Sequence, residues 1–177
     1  MVNPDRFAGA QLIESNFPDD RGERPEVLTR ALEEWAADRT RSAGVLRALQ
    51  EVRLLVPVVA MLGEVEYDEQ GLAHDKSSDM AAVLMQGRDG RLALLAFSGV
   101  ETLSTWNPEA RPVAVPAQVA AQSALQDDAV ALVLDVAGPR TFVVQGDDLV
   151  GLASGWQLVE VDGQSGWLRP AEGDDAD

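Results

Sequence analysis

A chain of 177 residues, 46% of them hydrophobic, is long enough to bury one sizeable core, and a single domain is the default expectation. Thirty acidic against fourteen basic side chains give a formal charge of −16, a far field that repels phosphate backbones and anionic headgroups and so argues against nucleic acid and membrane surfaces as partners. The absence of cysteine removes disulfides, thiolate nucleophiles and cysteine-ligated metals, and one histidine leaves little for transition-metal chemistry; neither a metal nor a cofactor is expected.

Residues 1–24, with Pro4, Gly9, Pro18, Gly22 and the mixed charge of FPDDRGER, read as an extended arm on which Phe7, Leu12, Ile13 and Phe17 can dock locally. The arm has no basic start followed by the apolar core of about 7 to 15 residues that a secretory signal needs, so a cytoplasmic location is the expectation. From Pro25 the pattern turns helical. Leu28, Ala31, Leu32, Trp35 and Ala36 recur at spacings of three and four, and proline suits a first helical position. Ser42 suits the N-cap of a second helix with Val45, Leu46 and Leu49 turned inward.

RLLVPVVAML, 53–62, is a β-branched run of strand length, too short to span a bilayer. Pro57 cannot donate to a ladder and predicts an edge strand or a bulge. The polar stretch 63–79 is long for a loop within a compact domain, the kind of loop that is functional or disordered. Met80–Met85 and Arg91–Phe97, joined across GRDG, predict a β-hairpin apolar enough to be covered on both faces. Val100–Trp106 reads as a short helix or turn and NPEARPVAVP as a rigid connection. Pro116 opens a helix over 116–126. Val130–Val136 and Thr141–Val144 form a second hairpin, Asp147 caps a helix over 148–153, and Trp156–Val161 is a last strand. The expected fold is α/β (α+β): two N-terminal helices, then a mixed, mostly antiparallel sheet built from two β-hairpin-helix units with helices packed around it. Residues 25–170 would form the domain and 171–177 an acidic tail.

Within KSSDMAAVLMQGRDGRLALLAFSGVETLSTWNPEARPVAVP, 76–116, Lys76, Asp79, Met80, Gly90, Ala96, Phe97, Ser98, Gly99, Leu103, Trp106, Arg111 and Pro112 form a pattern that resembles the SseB N-terminal domain family, bacterial proteins named for an effect on serine sensitivity. The resemblance implies no catalytic activity that can be assigned to named residues. Longer members of the family carry a further C-terminal domain that this chain, ending soon after its last predicted strand, is not expected to contain.

Two constellations are candidate sites. His74 and Lys76, the only histidine and lysine, stand beside Ser77, Ser78 and Asp79, but no nucleophile elbow or SxxK spacing surrounds them. Lys76 and Asp79 therefore read either as loop pins or as a recognition surface rather than as catalysts. Trp106 and Arg111, in a proline-punctuated segment, can floor a shallow pocket with the guanidinium ready for a carboxylate or phosphate, or can close the core and bond loop carbonyls. The acidic stretch YDEQGLAHD lacks the ligand pattern of a calcium loop. The leading expectation is a non-enzymatic cytoplasmic protein-interaction or regulatory binding domain, with a protein partner or self-association. The alternative is a small-anion or metabolite-binding domain using a groove near Lys76 and Arg111, and the third reading is an uncharacterised enzyme.

Overall fold

The computed structural model describes residue 17 and residues 20–61, 66–67, 73–74 and 79–170, with the backbone alone at 60–61, 66–67, 73–74 and 79–80. In chain order the elements are α1 (Glu26–Ala37), α2 (Ser42–Leu49), β1 (Arg53–Met61), β2 (Glu66–Tyr67), β3 (Ala73–His74), β4 (Asp79–Ala82), β5 (Leu84–Gln86), β6 (Leu92–Ala96), α3 (Val100–Trp106), β7 (Arg111–Pro116), α4 (Ala117–Gln126), β8 (Ala129–Leu134), β9 (Phe142–Gln145), α5 (Asp147–Ala153), β10 (Gln157–Val161) and β11 (Gln164–Leu168). The α/β class and both hairpin-helix units, β5–β6–α3 and β8–β9–α5, stand as expected. Phe7, Leu12 and Ile13 of the arm, the acidic tail from 171 onward and most of the 63–79 stretch lie outside the described residues. No helix among the described residues is long and apolar enough to cross a membrane.

The helical stripe of α1 buries Leu28 and Leu32, and Trp35 meets Phe142 edge-on at 4.9 Å while Arg39 lies over the Trp35 ring at 3.8 Å. Pro25 stands at the N-cap, one position earlier than expected. Asp38 caps the 3-10 turn over Arg39–Arg41 that leads into α2. Gly146, with φ +60°, holds the N-cap position of α5, so Asp147 sits in its first turn.

Three strands pair in the order β4-β1-β7, all antiparallel, and four in the order β5-β6-β8-β9, with β6 and β8 parallel. A bridge between Leu55 and Phe97 links the two groups. The strand carrying Pro57 is therefore central rather than at an edge, and the hydrogen bonds explain how. Leu55 exchanges both backbone bonds with Phe97 at 2.8 Å, and Val83 N–H donates to Pro57 O at 3.0 Å, so the odd residues of β1 aim their polar groups away from β7. Pro57 has no N–H to return to the Val83 carbonyl, which accepts from Leu95 N–H instead at 3.2 Å. Where the proline withholds a bond, the strand from 79 to 86 breaks at Val83 and changes partner from β1 to β6. On the other side Pro112 lies opposite Pro57 and Pro116 opposite Arg53, at positions that make no ladder bonds to β1. Their missing donors face the open edge of β7, a strand that NPEARPVAVP concealed behind its prolines.

One face of this framework buries the main core, Leu54, Val56, Leu94, Leu132, Leu134 and Val144 among it, under α1, α2, α4 and α5. The other carries a smaller cluster, Leu55, Leu95, Phe97 and Val133, beneath Leu103 of α3.

The last strand is half of a hairpin: Asp162 and Gly163, with φ +52° and +76°, turn β10 into β11. It docks on α2 and α5. Gln50 donates to Trp156 O and accepts from Leu158 N–H, and Trp167 donates from Nε1 to Asp148 at 2.9 Å while its ring lies flush on Gly151, where a Cβ would overlap it. Gly151→Ala is accordingly expected to prise the hairpin from α5 at a cost of about 1–3 kcal/mol to its docking. Amide exchange should accelerate over 157–168 and remain slow in β6 and β8; uniform acceleration would mean that the hairpin is part of the global folding unit instead.

Candidate functional site

Because β6 and β8 are parallel neighbours, their carboxyl ends open on the same edge of the sheet. Each apolar run stops at a polar residue there, LALLAF at Ser98 and ALVL at Asp135. Asp135 is 3% exposed and adopts φ +53°, a left-handed conformation that aspartate tolerates better than most residues. Its carboxylate accepts from Ser98 N–H at 2.8 Å, from the Ser98 hydroxyl at 2.6 Å and from the Thr102 hydroxyl at 2.6 Å. The bonds tie β8 to the β6–α3 connection. Ser98 is fully buried and its hydroxyl is spent on Asp135, an arrangement that locks backbone rather than presenting a nucleophile.

The network continues through Arg53, also buried. Its guanidinium donates to Ser98 O at 2.6 Å, to Glu23 O, and through a two-point fork to the Asp20 carboxylate. Asp20 also accepts from Gly22 N–H at 2.7 Å. The Arg53 hydrogen bonds come first among the causes that hold the Asp20 carboxyl below its ordinary value, and with the Gly22 bond they outweigh the opposing effect of burial. Gly22 O in turn accepts from Val100 N–H at 2.8 Å, so the end of the arm is fastened over the start of α3. Neither Arg53 nor Asp135 is among the candidates that the sequence offers; the signal available is a charged residue at each boundary of an otherwise apolar run.

The second sheet face is only partly covered. α3 and the turn after it set Leu103, Trp106 and Ala110 on the cluster around Phe97, with the Phe97 and Trp106 rings 5.4 Å apart. Cross-strand neighbours share a face, so Val59 opposite Ala81, Met85 opposite Ala93 and Val143 opposite Val133 extend the same apolar surface beyond α3. Val59 is 50% exposed, Met85 38% and Val143 45%. No described element lies over them. The hairpin expected to be covered on both faces is so covered only in β6, because the described helices of the main core all lie on the opposite face.

Of the residues singled out from sequence, Lys76 lies outside the described residues. Asp79 pairs with Met61 through the backbone on one flank of β1, and Arg111 with Val58 on the other flank, which separates their backbones by about 14 Å at ordinary strand spacings. Arg111 is exposed, and Trp106 packs on Phe97 as part of the smaller core cluster.

A family model described as SseB protein N-terminal domain matches residues 28–150, well over half of the chain. The match ends within α5 and leaves out the β10–β11 hairpin. No curated protein and no solved structure matches the chain.

Proposed function

Since the chain belongs to the SseB N-terminal domain family, we propose that it is a non-enzymatic cytoplasmic interaction domain whose docking surface is the sheet face around Val59, Met85 and Val143. The observation that carries the reading is the set of apolar side chains exposed on that face, Val59, Met85 and Val143, with no described element over them. A solitary exposed valine needs no explanation; Val59, Met85 and Val143, spread over β1, β5 and β9 on one face together with half-buried Val83 and Ala93, form a surface with the chemistry of an interface core. Charge selects the occupant. Two copies of a chain carrying −16 repel one another at long range, whereas a partner with a basic rim around its own apolar patch is drawn in. The partner is therefore a basic protein rather than a second copy.

Val59→Lys combined with Val143→Lys tests this, since surface substitutions of this kind change folding stability by only about 0.5 kcal/mol. The wild-type chain, used as bait in its native cytoplasm, should retain a basic protein whose capture weakens with added salt and is lost with the double variant. Capture that survives the double variant would reject the face as the docking surface. A wild-type dimer in light scattering, made monomeric by the same substitutions, would replace the basic partner with a second copy.

A further inference from the structure

We propose that the crevice at the carboxyl ends of β6 and β8, between Arg24 and Arg140, binds the carboxylate of a small organic acid. Neighbouring parallel strands ending on one edge form the position at which open α/β sheets receive ligands. Here Thr29 and Leu32 of α1, Thr102 of α3 and Pro139 wall the opening, Asp135 lies at its base, and the two arginines reach in from the arm and from the β8–β9 connection. The crevice has room for about one water molecule, so only the tip of a ligand enters.

The donors identify the chemistry. The Thr29 hydroxyl is committed to Pro25 O at 3.1 Å and the Thr102 hydroxyl to Asp135 and Gly99 O, which leaves the guanidiniums as the side-chain donors to an incoming group. Arg24 Nε is buried and has no hydrogen-bond partner among the described residues. A buried guanidinium N–H left without an acceptor is destabilising, and an oxygen entering the crevice would satisfy it. The nearest acids leave the place open: Glu101 stands 3.7 Å from Arg24 and Glu33 3.7 Å from Arg140, beyond hydrogen-bond length in both cases. A flat, singly charged carboxylate matches a guanidinium fork. Phosphate brings a bulkier tip and more charge against the Asp135 carboxylate beneath.

The side-chain Nε–H resonances of Arg24 and Arg140 provide a direct readout during titration with sodium acetate, sodium phosphate, and sodium chloride at matched ionic strength. Acetate should move the Arg24 Nε–H resonance saturably, phosphate should do so more weakly, and chloride should leave it in place. Arg140→Gln, a change at a partly exposed residue, should weaken acetate by about tenfold through loss of one charged arm of the clamp. No saturable shift, an equal shift with chloride, or undiminished acetate binding in Arg140→Gln would overturn the site. Phosphate binding more tightly than acetate would overturn the assignment to carboxylates. None of these outcomes bears on the sheet face, so this site and the docking surface stand or fall separately.

Discussion

Replacing Arg53 with methionine is expected to lower the stability of the chain by about 3 kcal/mol, a fall in Tm of roughly 6–12 °C for a chain of this size. The figure sits at the low end for a broken buried pair because Asp20 keeps 16% of its side chain in contact with solvent. Methionine fills the volume of the arginine stem, so the loss comes from the head: the Asp20 carboxylate loses its fork, and Ser98 O and Glu23 O lose their donor. Arg53→Lys should fall between, since one ammonium cannot reproduce a planar fork and reach two carbonyls as well. The sign of the pH dependence follows from Asp20. Its carboxyl is held below its ordinary value of 3.8, so its contribution is complete above about pH 4 and disappears as pH falls through the lowered value. The gap between wild type and Arg53→Met should therefore be widest near neutrality and narrow on acidification below about pH 4. Urea unfolding at several pH values checks both parts. A gap that stays constant to pH 2 would remove Asp20 from the account, and a change under about 2 °C at neutral pH would remove Arg53.

Much of the architecture was legible because periodicity and turn chemistry are local. The α1 stripe, GRDG between two apolar runs, and Gly138-Pro139 between two more each specify an element within a dozen residues. What escaped depended on pairing. RPVAVP reads as a connection until its partner is known; opposite β1, with the Pro112 and Pro116 nitrogens facing outward, it is an edge strand. Pro57 points to an edge or a bulge because a central strand normally needs every donor, and the break at Val83 that removes the need lies 26 residues farther along the chain. QSGWL has no convincing alternation, and β11 exists because Asp162-Gly163 turns it back and Trp167 finds the gap over Gly151. The polar network was hidden for the same reason. Asp20, Arg53, Ser98 and Asp135 are spread over more than a hundred residues, and only the parallel pairing of β6 with β8 draws two of their strand ends together. For Trp106 the sequence allows a pocket floor or a core plug, and the contact with Phe97 is what a plug makes.

Asp135→Ala is expected to cost about 3–4 kcal/mol, and the order of the variants at this position is more diagnostic than the size. Alanine strands the buried Ser98 N–H, takes the acceptor from the Ser98 hydroxyl, leaves the Thr102 hydroxyl with Gly99 O alone, and must hold φ +53° without a side chain that favours it. Asparagine keeps one oxygen for Ser98 N–H and Thr102, and the Ser98 hydroxyl can rotate to accept from its amide; the loss should be about 1 kcal/mol. Glycine has alanine's lack of acceptor without its backbone strain, so it should be the more stable of the two by about 1 kcal/mol, the reverse of the usual order. Urea midpoints should thus rank Asp135, Asn, Gly, Ala. Equal midpoints for Gly and Ala would show that the left-handed conformation carries no strain, and equal midpoints for Asn and Ala that the hydrogen bonds carry no weight. The consequence reaches the sheet face. Thr102 is the point at which Asp135 grips α3, and α3 holds Leu103 and Trp106 over Phe97. With that grip gone, Trp106 emission should shift to the red and hydrophobic-dye binding should rise in Asp135→Ala before the main transition, because the apolar surface beside Val59 and Val143 would extend to the residues that α3 now covers.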